Sequence, residues 1–195
     1  MRALLVSVLS VALLVLAPDS ANATPGGPDS GPLDRLVALV ADRLDTADAV
    51  AAAKWATAER SGTPPVIDDP AREADVYDSM ARLGERLDLP ENWIRQVFFG
   101  QIEANKVVQR GLIAGWRFDP AGAPAAPPDL STVRPRIDRL NAEIVDEVAA
   151  HRGELSGPDC AERLAHSVFG AFATWRGDAL HRVALVRATT VLCAP

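Results

Sequence analysis

Cysteine and histidine are scarce in this 195-residue sequence. Cys160 and Cys193 are the only cysteines, and His151, His166 and His181 the only histidines. Their spacing matches no zinc motif, so a metal site has no support and the histidines read as ordinary helix or surface residues. Nucleophile signatures are missing too. There is no Gly-x-Ser-x-Gly, no cysteine–histidine pair with a free thiol and no phosphate loop, which leaves a hydrolase with a covalent nucleophile little to stand on. No useful stretch alternates apolar and polar residues, so strands are not expected, and no internal repeat is present. Past residue 17 no run is apolar enough for a membrane span, which takes about 20 residues. Positive charge is also short: 20 Lys+Arg face 26 Asp+Glu, a net charge of −6. Nucleic-acid binding needs clustered basic surface, so any cationic site here must be local.

What is present begins with a leader. Arg2 precedes an apolar run from Ala3 to Ala17, and Ala21-Asn22-Ala23 supplies a small-x-small cleavage pattern. Residues 1–23 therefore read as a signal peptide and 24–31, TPGGPDSG, as a flexible leader, which predicts a secreted or periplasmic protein. Export favours pairing Cys160 with Cys193. The bridge would close a long loop and add about 3–4 kcal/mol in the loop-entropy account.

Residues 32–195 read as one all-α domain of about six helices. Leu33, Leu36, Val37, Val40, Leu44 and Ala47 recur at helical spacing and predict a first helix reaching about residue 60. Gly62 and Pro64-Pro65 break it. Asp68 or Asp69 before Pro70 marks the start of a second helix, running to about Leu87. A third spans about Pro90 to Ala114-Gly115. FDPAGAPAAPPD, 118–129, is a proline-dense loop, after which Asp129 or Ser131 caps a helix from about Val133 to His151. Two shorter helices, about 159–173 and 175–192, finish the chain. Asn105 and Gln109 lie one turn apart on the third helix with Gln101 a turn before them, carboxamides bordered by Ile102, Val107 and Val108. Half-buried amides of this kind need partners.

Four cations stand out by their neighbours. Arg43 and Lys54 are eleven residues apart, about three turns, and share a helix face. Arg72 and Arg134 each fall in a predicted first turn, where the helix dipole opposes a cation, a placement that suits an anion drawn by arginine and helix N–H groups together. Against this stand plainer readings. A helix arginine is most often solvated, Arg72 has Asp68, Asp69 and Asp75 as possible partners, and Asp69 fits a helix cap. A secreted, disulfide-stapled binding or inhibitor protein without catalysis is the alternative, and it places these charges outward rather than converging.

Four segments carry a resemblance: RLDTADAVAAAKW at 43–55, IDDPARE at 67–73, QVFFGQIEANKVVQ at 96–109 and PPDLSTVRPRIDRLN at 127–141. In this order and spacing they resemble the all-helical chorismate mutases, most closely the exported, monofunctional gamma subclass, across nearly the whole mature chain. The resemblance implies an isomerase of aromatic amino acid biosynthesis that rearranges chorismate to prephenate with no cofactor and no covalent intermediate. It implies that Arg43, Arg72 and Arg134 hold the substrate's carboxylates, and that Lys54 donates to the ether oxygen and contacts a carboxylate. Gln109 matches the second ether-oxygen donor, Asn105 a small polar carboxylate contact, and Glu73 an acid that binds the ring hydroxyl. Exported relatives can use a polar residue one turn later for that hydroxyl, where this chain has Val76. A homodimer is implied by the resemblance alone.

Overall fold

The computed structural model describes residues 31–195, and these are helical with no strand among them. The signal-peptide reading of 1–23 and nearly all of the 24–31 leader lie outside the described residues. The α-helices in order are α1 (Asp34–Leu44), α2 (Thr46–Ser61), α3 (Pro70–Glu85), α4 (Glu91–Phe118), α5 (Leu130–Ala150), α6 (Arg152–Ser156), α7 (Cys160–Thr174) and α8 (Ala179–Thr189). A short 3-10 turn at Pro120–Gly122 sits in the proline loop.

Among the described residues eight α-helices stand where about six were expected, for two reasons. The long first helix divides at Asp45, although that residue keeps helical dihedrals of φ −59° and ψ −22°. The neighbouring Thr46 hydroxyl donates to the Arg43 carbonyl at 2.7 Å, a back-bond that competes with the backbone ladder and bends helices. The five-residue α6 is the second addition, lying between the helix expected to end near His151 and the one expected to begin near residue 159.

Capping sets the other boundaries. Asp69, not Asp68, caps α3, its carboxylate accepting from the Arg72 N–H at 3.1 Å with Pro70 at the first position. Asp129 accepts from the Ser131 N–H at 2.8 Å, which starts α5 at Leu130, earlier than the expected Val133. Arg134 is thereby one turn into the helix, where the dipole argument weakens, while Arg72 stays in the first turn. Asp178 accepts from the His181 N–H at 2.9 Å and delays α8 to Ala179. α4 passes through Gly115 and stops before Pro120, which cannot continue it.

α4 is the central strut. Its Trp93, Ile94, Val97, Phe98 and Val108 are buried with Leu36, Val40 and Leu44 of α1, Ile144 and Val148 of α5, and Leu185 and Ala188 of α8. Each such side chain contributes about 1.5–3 kcal/mol by burial. Gly100 lets α8 approach closely, since a Cβ there would fall on the Val191 side chain. A smaller apolar cluster, Ala51, Ala52, Ile113 and Trp116, sits at the far end of α4, with Trp55 edge-on to Trp116 at 6.0 Å. Cys160 and Cys193 form the expected disulfide, with Cα atoms 5.9 Å apart. Among the described residues no helix is long and apolar enough to cross a membrane.

Candidate active site

Between the main core and the smaller cluster, α4 presents a polar turn instead of an apolar one. There a cavity of about 170 Å³ is lined from α1 to α5. Val50, Ile67, Val76, Ile102, Leu130 and Ile137 form its apolar wall. Its charged lining is Arg43, Lys54, Arg72, Lys106 and Arg134 against Asp69 and Glu73, a formal excess of three positive charges in a chain of net charge −6. Low-dielectric walls and an excess of one sign concentrate a small anion of apolar body.

All seven residues singled out from the sequence, Arg43, Lys54, Arg72, Glu73, Asn105, Gln109 and Arg134, line this one cavity. That convergence is what the inhibitor reading does not expect.

Arg43 is buried and held on one side of its guanidinium. Nε donates to Asn141 Oδ1 at 2.6 Å and Nη1 to the Gln101 carbonyl at 3.0 Å. Burial, offset in part by Asp138 and Tyr77, pulls its pKa down to about 10, so it stays a cation at neutral pH. Nη2 has no partner among the described residues. Lys54 Nζ donates to the Ile67 carbonyl at 2.6 Å, which spends one of three donors. Burial lowers its pKa, with Asp69, Asp68 and Glu73 opposing the change. Arg72 pairs with Asp138 of α5 at 2.9 Å, not with Asp68, Asp69 or Asp75. Arg134 is exposed and has no ion pair among the described residues.

An i, i+4, i+8 line on a helix drifts by about 80° over its length. The three amides therefore part company. Gln101 is fully buried and donates to the Ala188 carbonyl of α8 at 3.1 Å, a bond between helices. Asn105 donates to the Gln101 carbonyl at 3.0 Å and lines the cavity. Gln109 is buried, and its Oε1 has no hydrogen-bond partner among the described residues. A half-turn of the carboxamide exchanges acceptor for donor, so this orphan position can offer N–H as well.

The sequence reading missed Lys106. It is buried among Glu73 at 2.8 Å, Glu103 at 3.0 Å and Asp68 at 3.1 Å. Burial works against its charge, but the hydrogen bonds to those carboxylates outweigh it and raise its pKa above the ordinary lysine value. Only the Glu103 pairing, three residues away on α4, is readable in the sequence. Asn141 and Asp138, which anchor Arg43 and Arg72, were missed for the same reason. Val76 is buried on the cavity wall and offers no polar group. His181 departs from an ordinary surface histidine, being buried between Asp178 and Asp48 at 2.7 and 2.8 Å. No cluster of potential metal ligands occurs among the described residues.

Comparison with known proteins gives the family. Residues 34–110 match the family described as chorismate mutase type II. A secreted chorismate mutase of Mycolicibacterium smegmatis is 41% identical over 166 residues, covering 85% of this chain and 88% of that protein. The secreted chorismate mutase of Mycobacterium tuberculosis is 35% identical, covering 83% and 78%. The crystal structure of a chorismate mutase from Burkholderia phymatum superposes with a TM-score of 0.76 at 36% identity, covering 84% of this chain and 97% of that one. With a cationic, amide-bearing cavity in an all-helical domain and relatives matched over most of their length, this chain belongs to the chorismate mutase family.

Proposed function

We propose that this chain is an exported enzyme that rearranges chorismate to prephenate in the cavity between α2 and α5. The observation that carries the reading is the convergence of five cations and two amides on one apolar-walled space. Chorismate is a dicarboxylate on an apolar ring and fits that chemistry. Export follows the leader read in the sequence and the relatives' description as secreted.

In the rearrangement the bond from the ether oxygen to the ring breaks as a C–C bond forms between the side chain and the ring, and the enol C–O becomes the ketone of the side chain. No proton or electron enters or leaves, so no nucleophile, redox group or titrating base is called for. The chain's task is to hold the folded conformer and to meet the negative charge that grows on the ether oxygen. Arg43, Arg72 and Arg134 take the carboxylates, for which guanidinium forks are suited, with Asn105 adding an amide donor. Lys54 and Gln109 face the ether oxygen, Lys54 touching a carboxylate as well. Glu73 accepts from the ring hydroxyl. Residues 32–195 serve as the catalytic domain and need no cofactor, and a homodimer is the assembly we infer.

The test is turnover of chorismate by residues 24–195, followed by ultraviolet absorbance. Lys54→Ala and Arg134→Ala should each lower kcat/KM by at least about 10²-fold, on the order of 2.7 kcal/mol of transition-state stabilisation. His166→Ala and Arg152→Ala, outside the cavity lining, should stay near wild type. Losses no greater than those of the controls would remove these residues from the site.

A further inference from the structure

Lys106 lines the cavity, yet its ammonium has nothing left to give a ligand. An ammonium has three donors. Glu73, Glu103 and Asp68 lie at 2.8, 3.0 and 3.1 Å, one carboxylate for each. Its side chain is only 10% exposed, so little water reaches the ammonium itself. Arg43, Lys54 and Arg134 differ in this respect, each retaining donors without a protein partner.

The consequence falls on Glu73. The contacts it makes use the same oxygen: Lys106 at 2.8 Å and the Asp69 N–H at 3.2 Å both reach Oε1. Oε2 has no partner among the described residues, and Glu73 lines the cavity. A carboxylate held by one oxygen from two directions has its rotation about the last bond fixed. Its second oxygen is then a preset acceptor.

We propose that Lys106 is a positioning residue: by occupying Glu73 Oε1 it fixes Oε2 as the acceptor for the hydroxyl on the substrate ring. The proposal rests on the reading that the cavity takes chorismate, and it supplies the hydroxyl contact that Val76 cannot make. Glu103 and Asp68 complete the device by holding the ammonium in place from α4 and from the loop before α3.

The experiment compares chorismate with an analogue in which hydrogen replaces the ring hydroxyl, each measured relative to its own uncatalysed rate. Wild type should favour chorismate by about 10- to 100-fold in kcat/KM, the scale of a hydrogen bond to a charged acceptor. Lys106→Gln should lose about 10-fold on chorismate and less than about 3-fold on the analogue. Equal losses on both substrates would overturn the proposal, because a purely structural lysine or one holding a carboxylate affects both alike. If Lys106→Gln does not fold, Lys106→Arg takes its place, since a planar fork cannot meet three carboxylates set around one point, and the same comparison decides. A wild type that treats both substrates alike also overturns it. No turnover of chorismate at all would instead defeat the reading of the cavity, which is a different result.

Discussion

Gln109 Oε1 is buried without a protein partner among the described residues, and a half-turn of the carboxamide lets the amide donate into the cavity instead. As an amide Gln109 does not titrate, so the activity should be level from about pH 5 to 8. On the alkaline side the limb belongs to Lys54. Burial lowers its pKa from 10.5, so loss of its charge should cut kcat/KM at a lower pH than for a free lysine. Gln109→Glu keeps the shape but lets the group ionise, and a carboxylate only accepts hydrogen bonds. The variant should gain activity toward acid, seen as a new limb in its pH–rate profile. A profile still level through neutral pH would show that Gln109 does not face the breaking bond. The sequence displayed this residue plainly, because neighbours on one helix face follow from periodicity. Lys106 was hidden, since two of its three carboxylates arrive from outside its own helix.

Among the elements, α8 is fastened to α2 by a titrating clasp. As an imidazolium, His181 donates from its two ring nitrogens to Asp178 of its own cap and Asp48 of α2, while Trp175 donates to Asp45 at 3.1 Å and packs edge-on to the imidazole. Burial opposes the imidazolium, but the two carboxylates outweigh it and raise the His181 pKa above 6.5. A raised folded-state pKa means that the stabilisation is complete below about pH 6.5 and is lost as pH rises through the folded value. Urea unfolding of wild type and His181→Gln should differ by about 1 kcal/mol at pH 5.5, and the gap should shrink by pH 9. A gap that widens with pH would reverse the assignment. The Asp48 half of the clasp was not legible beforehand, because Asp48 is far from His181 in sequence. The breaks at Pro64-Pro65 and before Pro70 were legible, since proline acts locally. The division at Asp45 was not, because a threonine back-bond leaves no mark in hydrophobic periodicity.

At the scale of the whole molecule, the apolar spacing and the caps specified a helical domain, and side chains from the four ordered segments meet at one cavity. What they did not specify is the layer behind it. Asn141 and Asp138 hold Arg43 and Arg72, and such pairings exist only once α5 has packed. That packing gathers Arg43, Lys54 and Arg134, cations with no ion pair among the described residues, around one cavity, and their like charges repel one another in the ligand-free protein. The fold is therefore under an internal pressure that a dianion relieves. Saturating an unreactive dicarboxylate analogue at about 100 times its Kd should add about 2.7 kcal/mol, or roughly 5–11 °C in melting temperature. Its monomethyl ester, with one charge removed and added at the same concentration, should raise the melting temperature less. The difference between the two should narrow as sodium chloride rises from 0.05 to about 0.5 M, because salt screens the repulsion that the ligand would otherwise relieve. Equal shifts from both ligands would mean that shape, and not charge, is what the empty cavity lacks.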